Sequence, residues 1–285
     1  MLTLLVVECP RRDRQLQTVT RCYVEDLLVR KNRAKEKLKN GGIVLGGFCN
    51  INSPAAVEVL GHLGFDFVII DGEHGPMDLE SSKNMVRAAD GVDITPLARV
   101  AVNHPQVILR YLDMGCLGVQ IPMVNTGAEA EAVANACRYP PVGKRGLAGV
   151  RANEWGLTGP LGPYTRTAND EVLTIVQVET LQAVSNLDEI MAVKEVDMVF
   201  IGPTDLSSAM GVPGEVTHPD VLAQLEKLGK AIRAGGKHAG TIGGNPQAVK
   251  MLSDWGYNYF AVNVLGMFAS AARGYITESR AAIAK

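Results

Sequence analysis

What most restricts the architecture of this chain is an eightfold alternation of short apolar runs with longer amphipathic segments, beginning near residue 43. The runs cover residues 43–49, 65–70, 94–100, 117–123, 172–178, 198–202, 237–242 and 258–262. Each is short and rich in Val, Ile, Leu or Phe, the pattern of a strand buried on both faces. Segments of helical character lie between them at 54–63, 79–89, 105–114, 127–139, 184–192, 219–234 and 246–255, and a last one runs from 266 to the C-terminus. Strands joined by crossover helices pair in parallel. Eight such units in roughly 240 residues fit a closed (β/α)8 TIM barrel better than an open doubly wound sheet. No Gly-x-Gly-x-x-Gly follows the first run, which argues against a dinucleotide-binding fold.

Composition narrows the function classes. With 285 residues, 47% hydrophobic and 20% charged, the chain can bury a large core without disulfides or a structural metal. A formal net charge of −2 gives no electrostatic case for nucleic acid or an anionic membrane as partner. The five cysteines are scattered and form no Cys-x-x-Cys pair, as expected of free thiols in a reducing compartment. The apolar start at 1–7 is cut short by Glu8, Arg11, Arg12, Asp13 and Arg14, the reverse of a secretory signal, and no run approaches the ~20 apolar residues of a membrane helix. The expectation is a soluble, cytoplasmic protein with an N-terminal extension of unassigned role at 1–30 and one barrel domain at 31–285. A helix is expected over 24–39, stopped by Asn40-Gly41-Gly42. Residues 138–170 break the rhythm: rich in Gly and Pro and without a clean period, they read as a functional loop or lid, or as an insertion without a chemical role.

Barrel enzymes keep their chemistry at the C-terminal ends of the strands. There the sequence places Asp71-Gly72-Glu73-His74-Gly75 after the second run, Arg99 after the third, Gln177-Val178-Glu179-Thr180 after the fifth and Gly202-Pro203-Thr204-Asp205-Leu206-Ser207 after the sixth. Glu179 and Asp205 end adjacent strands ~4.8 Å apart, so the two acids either converge on one divalent cation or serve as capping or salt-bridged acids. Two carboxylates suit Mg²⁺ or Mn²⁺, with Co²⁺ or Zn²⁺ as further possibilities; no grouping of His and Cys indicates a zinc cage. His74 follows Asp71 by three residues, and an Asp can orient an imidazole into a general base near neutral pH. His62 lies in a helix, His104 and His218 precede prolines where helix caps are common, and His238 opens a strand at the opposite face. Backbone N–H groups around Gly202, Pro203 and Thr204 could hold a carboxylate or phosphate. No Lys stands at the C-terminal end of a strand, since Lys237 enters its strand from the opposite end and Lys144 lies in the long loop, which favours metal polarisation of a carbonyl over imine chemistry.

Four stretches together resemble the HpcH/HpaI aldolase family, the class II pyruvate aldolases: 64–74, 138–146, 176–180 and 199–207, with the likeness running from about residue 31 to the C-terminus. The resemblance implies a divalent-metal-dependent enzyme without organic cofactor. It would split a 4-hydroxy-2-oxo acid into pyruvate and an aldehyde. Glu179 and Asp205 would be the metal ligands, Arg99 the group holding the keto oxygen and enolate, and His74 with Asp71 the acid/base pair. Gln177, Gly202, Pro203, Thr204, Phe48 and Ile242 would line the substrate pocket, and Asp113 would be an acidic group on the side completed by a neighbouring subunit. A hexamer, a trimer of dimers with the last helix swapped, is also implied. The chain departs from the family pattern in its first ~30 residues, in Phe48 where a Trp is common, and in 261–265, which lack a usual Asp. Two other readings are an acyl-CoA or citrate-type lyase, for which Lys144-Arg145 is the nearest basic pair, and a non-catalytic keto-acid-binding barrel.

Overall fold

The structure, a computed structural model, describes residues 29–284. The expectations for residues 1–28 lie outside the described residues. Eight strands close into a parallel barrel in sequential order: β1 Val44–Cys49, β2 Phe67–Asp71, β3 Thr95–Arg99, β4 Gly118–Ile121, β5 Leu173–Val178, β6 Met198–Ile201, β7 His238–Ile242 and β8 Tyr259–Asn263, with β8 paired back onto β1. All eight fall within a few residues of the apolar runs. The helices between them start where the sequence supplies a cap. Ser53, Thr126 and Asn245 each accept a backbone N–H, and Asp78 does so in a capping box with Ser81. His104 and His218 are caps as well, each accepting a backbone N–H on Nδ1 at 3.3 Å.

Alternation along the strands sorts side chains into two cores. Phe67, Ile69, Leu97, Leu173, Ile175, Met198, Phe200 and Tyr259 fill the barrel interior, whereas their chain neighbours Val68, Ile70, Ala98, Val176 and Val199 pack under the helices. Phe67 and Tyr259 stack with ring centroids 4.0 Å apart. Gly46 makes room for them, since a Cβ there would lie 2.3 Å from the Phe67 ring. By the same alternation Phe48, Asp71, Arg99, Gln120 and Gln177 point inward at the C-terminal end of the barrel, and the register sets Asp71 beside Arg99 and Arg99 beside Gln120.

The N-terminal end is plugged. Helix Arg33–Lys39 inserts Ala34 and Leu38 into the interior cluster. Within the described part of the expected helix at 24–39, residues 29–32 are not helical, because Asn32 caps the helix: its side chain accepts the Lys35 N–H at 2.9 Å and donates to the carbonyls of Leu117 and Glu171. Behind it, Asp197 receives Lys35 at 3.1 Å and Arg138 at 2.9 Å. Burial would raise that carboxyl, but the two cations more than offset it and hold it below the usual carboxylate range.

The excursion after helix Gly127–Cys137 is not a lid over this chain's own C-terminal face. That helix runs back to the N-terminal ends of the strands, and residues 138–172 stay there. Arg138 reaches Asp197, which precedes β6, and Arg151 reaches the Met114 carbonyl at 2.9 Å and the Asp90 carboxylate. The stretch contains a 3-10 turn, Arg151–Gly156, and a helix, Leu161–Glu171, that the polar, Gly- and Pro-bearing sequence hides. The expected helix at 184–192 is two short ones, Leu181–Ser185 and Leu187–Ala192.

Candidate active site

Arg99 is the hub of the C-terminal face. Its Nε donates to Asp71 Oδ1 at 2.9 Å and its Nη2 to Asp71 Oδ2 at 2.6 Å, a bidentate pair on a carboxylate that is 2% exposed. Below it lies the Phe48 ring, 4.6 Å from the guanidinium carbon, which is itself held edge-on by Phe200. Nη1 approaches Glu73 Oε2 at 3.1 Å. Five N–H groups serve a guanidinium, so donors remain for a substrate oxygen after these contacts.

Asp71 does not orient the His74 imidazole as the sequence reading expects. Its carboxylate is committed to Arg99 and meets His74 only through the backbone N–H groups of Glu73 and His74, each 3.2 Å from Oδ1. Burial acts to raise the Asp71 carboxyl, yet the hydrogen bonds and charge of Arg99 prevail and hold it below the ordinary range. The group beside the imidazole is Glu73, with Oε2 3.9 Å from Nε2, while the His74 side chain stays largely exposed. Glu73 is a site residue that the sequence reading passed over. Its position between His74 and Gly72 was visible, but nothing in the order of letters says which of two acids the loop turns inward. Burial pushes the Glu73 carboxyl up, and Arg99 offsets this only in part.

Glu179 stands across the barrel mouth. It is 2% exposed, and both its oxygens are held: Oε1 accepts the Met123 N–H at 2.8 Å and Oε2 accepts Gln177 Nε2 at 2.7 Å. Met123 takes left-handed backbone, φ 55°, which costs a residue with a Cβ about 1 kcal/mol or more. Gln177, expected to line the substrate pocket, is buried and supports Glu179; its Oε1 accepts from Gln120 Nε2. Gly202 packs directly on the carboxylate, since a Cβ at 202 would lie 2.4 Å from Glu179 Oε2. Gly202 then caps helix Pro203–Ala209, whose first turn carries Asp205 exposed on the same side; Pro203 is buried and Thr204 exposed. Burial pushes the Glu179 carboxyl up despite its two hydrogen bonds, and the charges of Asp205 and Glu73 push the same way. Ile242 ends β7 half-buried against the interior cluster.

Among the described residues, no group of three acid, His or Cys side chains forms a cation cage by itself. Two carboxylates near enough for the charge of Asp205 to act on Glu179, with no cationic side chain among the described residues bound to either, still fit a hard divalent cation whose other positions are filled by water and substrate. Glu179 and Asp205 are the residues that would hold it.

Asp113 is not part of this cluster within one chain. It ends helix Pro105–Asp113, which returns to the N-terminal face, and there it accepts Arg145 Nη2 at 2.8 Å. Arg145 is buried and stacked on the Tyr139 ring, so the Lys144-Arg145 pair does not reach the mouth either.

The HpcH/HpaI aldolase/citrate lyase profile matches residues 45–272, which span all of the strands but the first residue of β1 and carry every side chain just described. The chain belongs to this family. It is 37% identical over 252 residues to a hydroxypyruvate/pyruvate aldolase of Roseovarius nubinhibens, covering 87% of this chain and 97% of that protein. It is 35% identical to a 5-keto-4-deoxy-D-glucarate aldolase of Shigella boydii, over 88% of this chain and 97% of that one. A crystal structure of an HpcH/HpaI aldolase/citrate lyase family protein from Burkholderia cenocepacia superposes with a TM-score of 0.82 at 31% identity, covering 88% of this chain and 100% of the other. As a member of the HpcH/HpaI family the protein is an aldolase, a carbon–carbon lyase. No helix among the described residues is long and apolar enough to cross a membrane.

Proposed function

We propose that the protein is a divalent-metal-dependent aldolase that cleaves, and in reverse condenses, a 4-hydroxy-2-oxo acid to pyruvate and an aldehyde. The observation that supports this reading is the gathering, at the C-terminal end of the barrel, of the buried Glu179, the nearby charges of Asp205 and Glu73, and the Arg99 guanidinium that contacts Glu73. The relatives' names, a hydroxypyruvate/pyruvate aldolase and a keto-deoxy sugar acid aldolase, support 2-oxo acid chemistry. A cation bound by Glu179 and Asp205 would supply Lewis acidity at the 2-oxo group. Arg99, fixed from below by Phe48 and from the side by Asp71, offers N–H donors to the oxygen on which negative charge develops as the C3–C4 bond breaks. His74, exposed at the mouth with its Nε2 3.9 Å from Glu73 Oε2, takes the proton of the C4 hydroxyl. Pyruvate results when the enolate carbon regains a proton. A coupled assay of pyruvate release over a panel of 4-hydroxy-2-oxo acids is expected to give one pyruvate and one aldehyde per cleavage. Turnover of a malyl-CoA-type thioester with none of the panel cleaved would overturn the assignment.

The proposal includes a homo-oligomer, a hexamer built as a trimer of dimers. Helix Val264–Ile283 is 20 residues long yet buries only Val264, leaving Leu265, Phe268, Tyr275, Ile276 and Ile283 exposed. Apolar side chains spread along one helix are the mark of a surface that a second copy covers. Light scattering is expected to give a mass of six chains, and a chain ending at residue 266 a smaller one. A full-length monomer at micromolar concentration would remove this part of the proposal.

A further inference from the structure

We infer that Gln120 is a positioning residue, acting through Gln177 to fix how Glu179 presents its carboxylate to a cation. The inference rests on the metal reading above. Gln120 lies on β4, belongs to none of the motif stretches, and is completely buried. It is not in contact with Glu179: the connection runs from Gln120 Nε2 to Gln177 Oε1, and from Gln177 Nε2 to Glu179 Oε2 at 2.7 Å.

The direction of this chain is forced rather than chosen. An ionised carboxylate only accepts, so Gln177 must turn its NH₂ toward Glu179. Its carbonyl oxygen then faces away and needs a donor. Gln120 is the donor, and it too must turn its NH₂ inward along the chain. One consequence is visible at the far end: Gln120 Oε1 is buried with no hydrogen-bond partner. Burying an amide oxygen without a partner is unfavourable, and an apolar residue of the same size would avoid it. A glutamine whose only satisfied end points at Gln177 is what the site requires if that end is what matters. Without it, the Gln177 amide would lose its preferred orientation and could present its oxygen to Glu179, turning a hydrogen bond into a repulsion. Glu179 would then lose the donor that holds Oε2 in place against Gly202.

The test titrates the full-length chain with Mn²⁺ alone, following bound metal by calorimetry and electron paramagnetic resonance, and records the melting temperature of the metal-free protein in parallel. Gln120→Met is expected to raise the Mn²⁺ Kd by about 10–100-fold, the range typical of losing an outer-shell partner. The melting temperature of the metal-free protein should move little, because one orphan oxygen, on Gln120, is exchanged for another, on Gln177. Gln177→Met should raise the Kd by as much, and the double variant by no more than either alone, since the two act in series. Should Gln120→Met fail to fold, Gln120→Leu carries the same comparison. Wild-type chain that binds Mn²⁺ and a Gln120→Met chain that binds it within about twofold, well inside the outer-shell range, would overturn this inference and leave the metal reading standing. Wild-type chain that binds no Mn²⁺ would overturn both.

Discussion

Removing divalent metal is expected to lower the rate of pyruvate formation by at least about a hundredfold, and Mg²⁺ or Mn²⁺ to restore it. The size follows from the charges at the barrel mouth. Glu179, Asp205 and Glu73 bring negative charge toward the space the substrate enters, and the Glu179 carboxyl is pushed up by burial and by both neighbours. A substrate carboxylate approaching three acids gains nothing from them until a cation is present. Arg99 cannot substitute, because its charge is shared between Asp71 and Glu73. The measurement is initial rate after exhaustive chelation and gel filtration, followed by titration with each metal, with Co²⁺ and Zn²⁺ included. Undiminished cleavage after metal is shown by elemental analysis to be gone would end the Lewis-acid reading. Glu179→Gln should mimic chelation, with metal no longer restoring the rate.

The second large effect concerns Arg99. Arg99→Ala should reduce kcat by about 10²–10³-fold, the usual consequence of removing one donor from a group that stabilises developing oxyanion charge. It should reduce to a similar degree the exchange of pyruvate methyl protons with solvent, which passes through the same enolate but needs neither the aldehyde nor His74. That pairing separates Arg99 from His74: His74→Ala should impair cleavage and largely spare exchange. Arg99→Ala also strands Asp71, a buried carboxylate, at a cost of about 3–5 kcal/mol, so the comparison belongs with the double variant Arg99→Ala, Asp71→Asn, which removes the stranded charge. Arg99→Lys should not rescue, because an ammonium cannot make the bidentate contact with Asp71 while stacking on Phe48. Normal exchange in a folded Arg99→Ala protein would remove Arg99 from the chemistry.

Much of this was open to reading in the linear order of residues. Strands buried on both faces must be continuously apolar, so the eight runs stood out and the barrel followed. The strand-end acids, the guanidinium and the imidazole were legible because parallel strands deliver their last residues to one face. The capping roles of His104 and His218 followed from the prolines after them. Helix Leu161–Glu171 escaped because Pro160 and Pro163 read as breakers, although proline is tolerated at a helix start, where both stand, and the lid reading of 138–170 failed for this chain's own face because the direction in which a segment leaves a barrel depends on which end the preceding helix has reached.

The sequence by itself determined the architecture and the set of side chains available at the C-terminal face, since both depend on periodicities of two and 3.6 residues that are local. Only the tertiary structure decided which of those side chains meet. Asp71 took Arg99 rather than His74 because β2 and β3 pair in a register that puts residues 71 and 99 abreast. Glu179 received the Met123 backbone and, through Gln177, the Gln120 amide because β4 and β5 pair side by side at that point. Asp113 went to the far end with its helix. Pairing across strands is set by register and packing between segments distant in the chain, and neither is encoded in the spacing of any one segment.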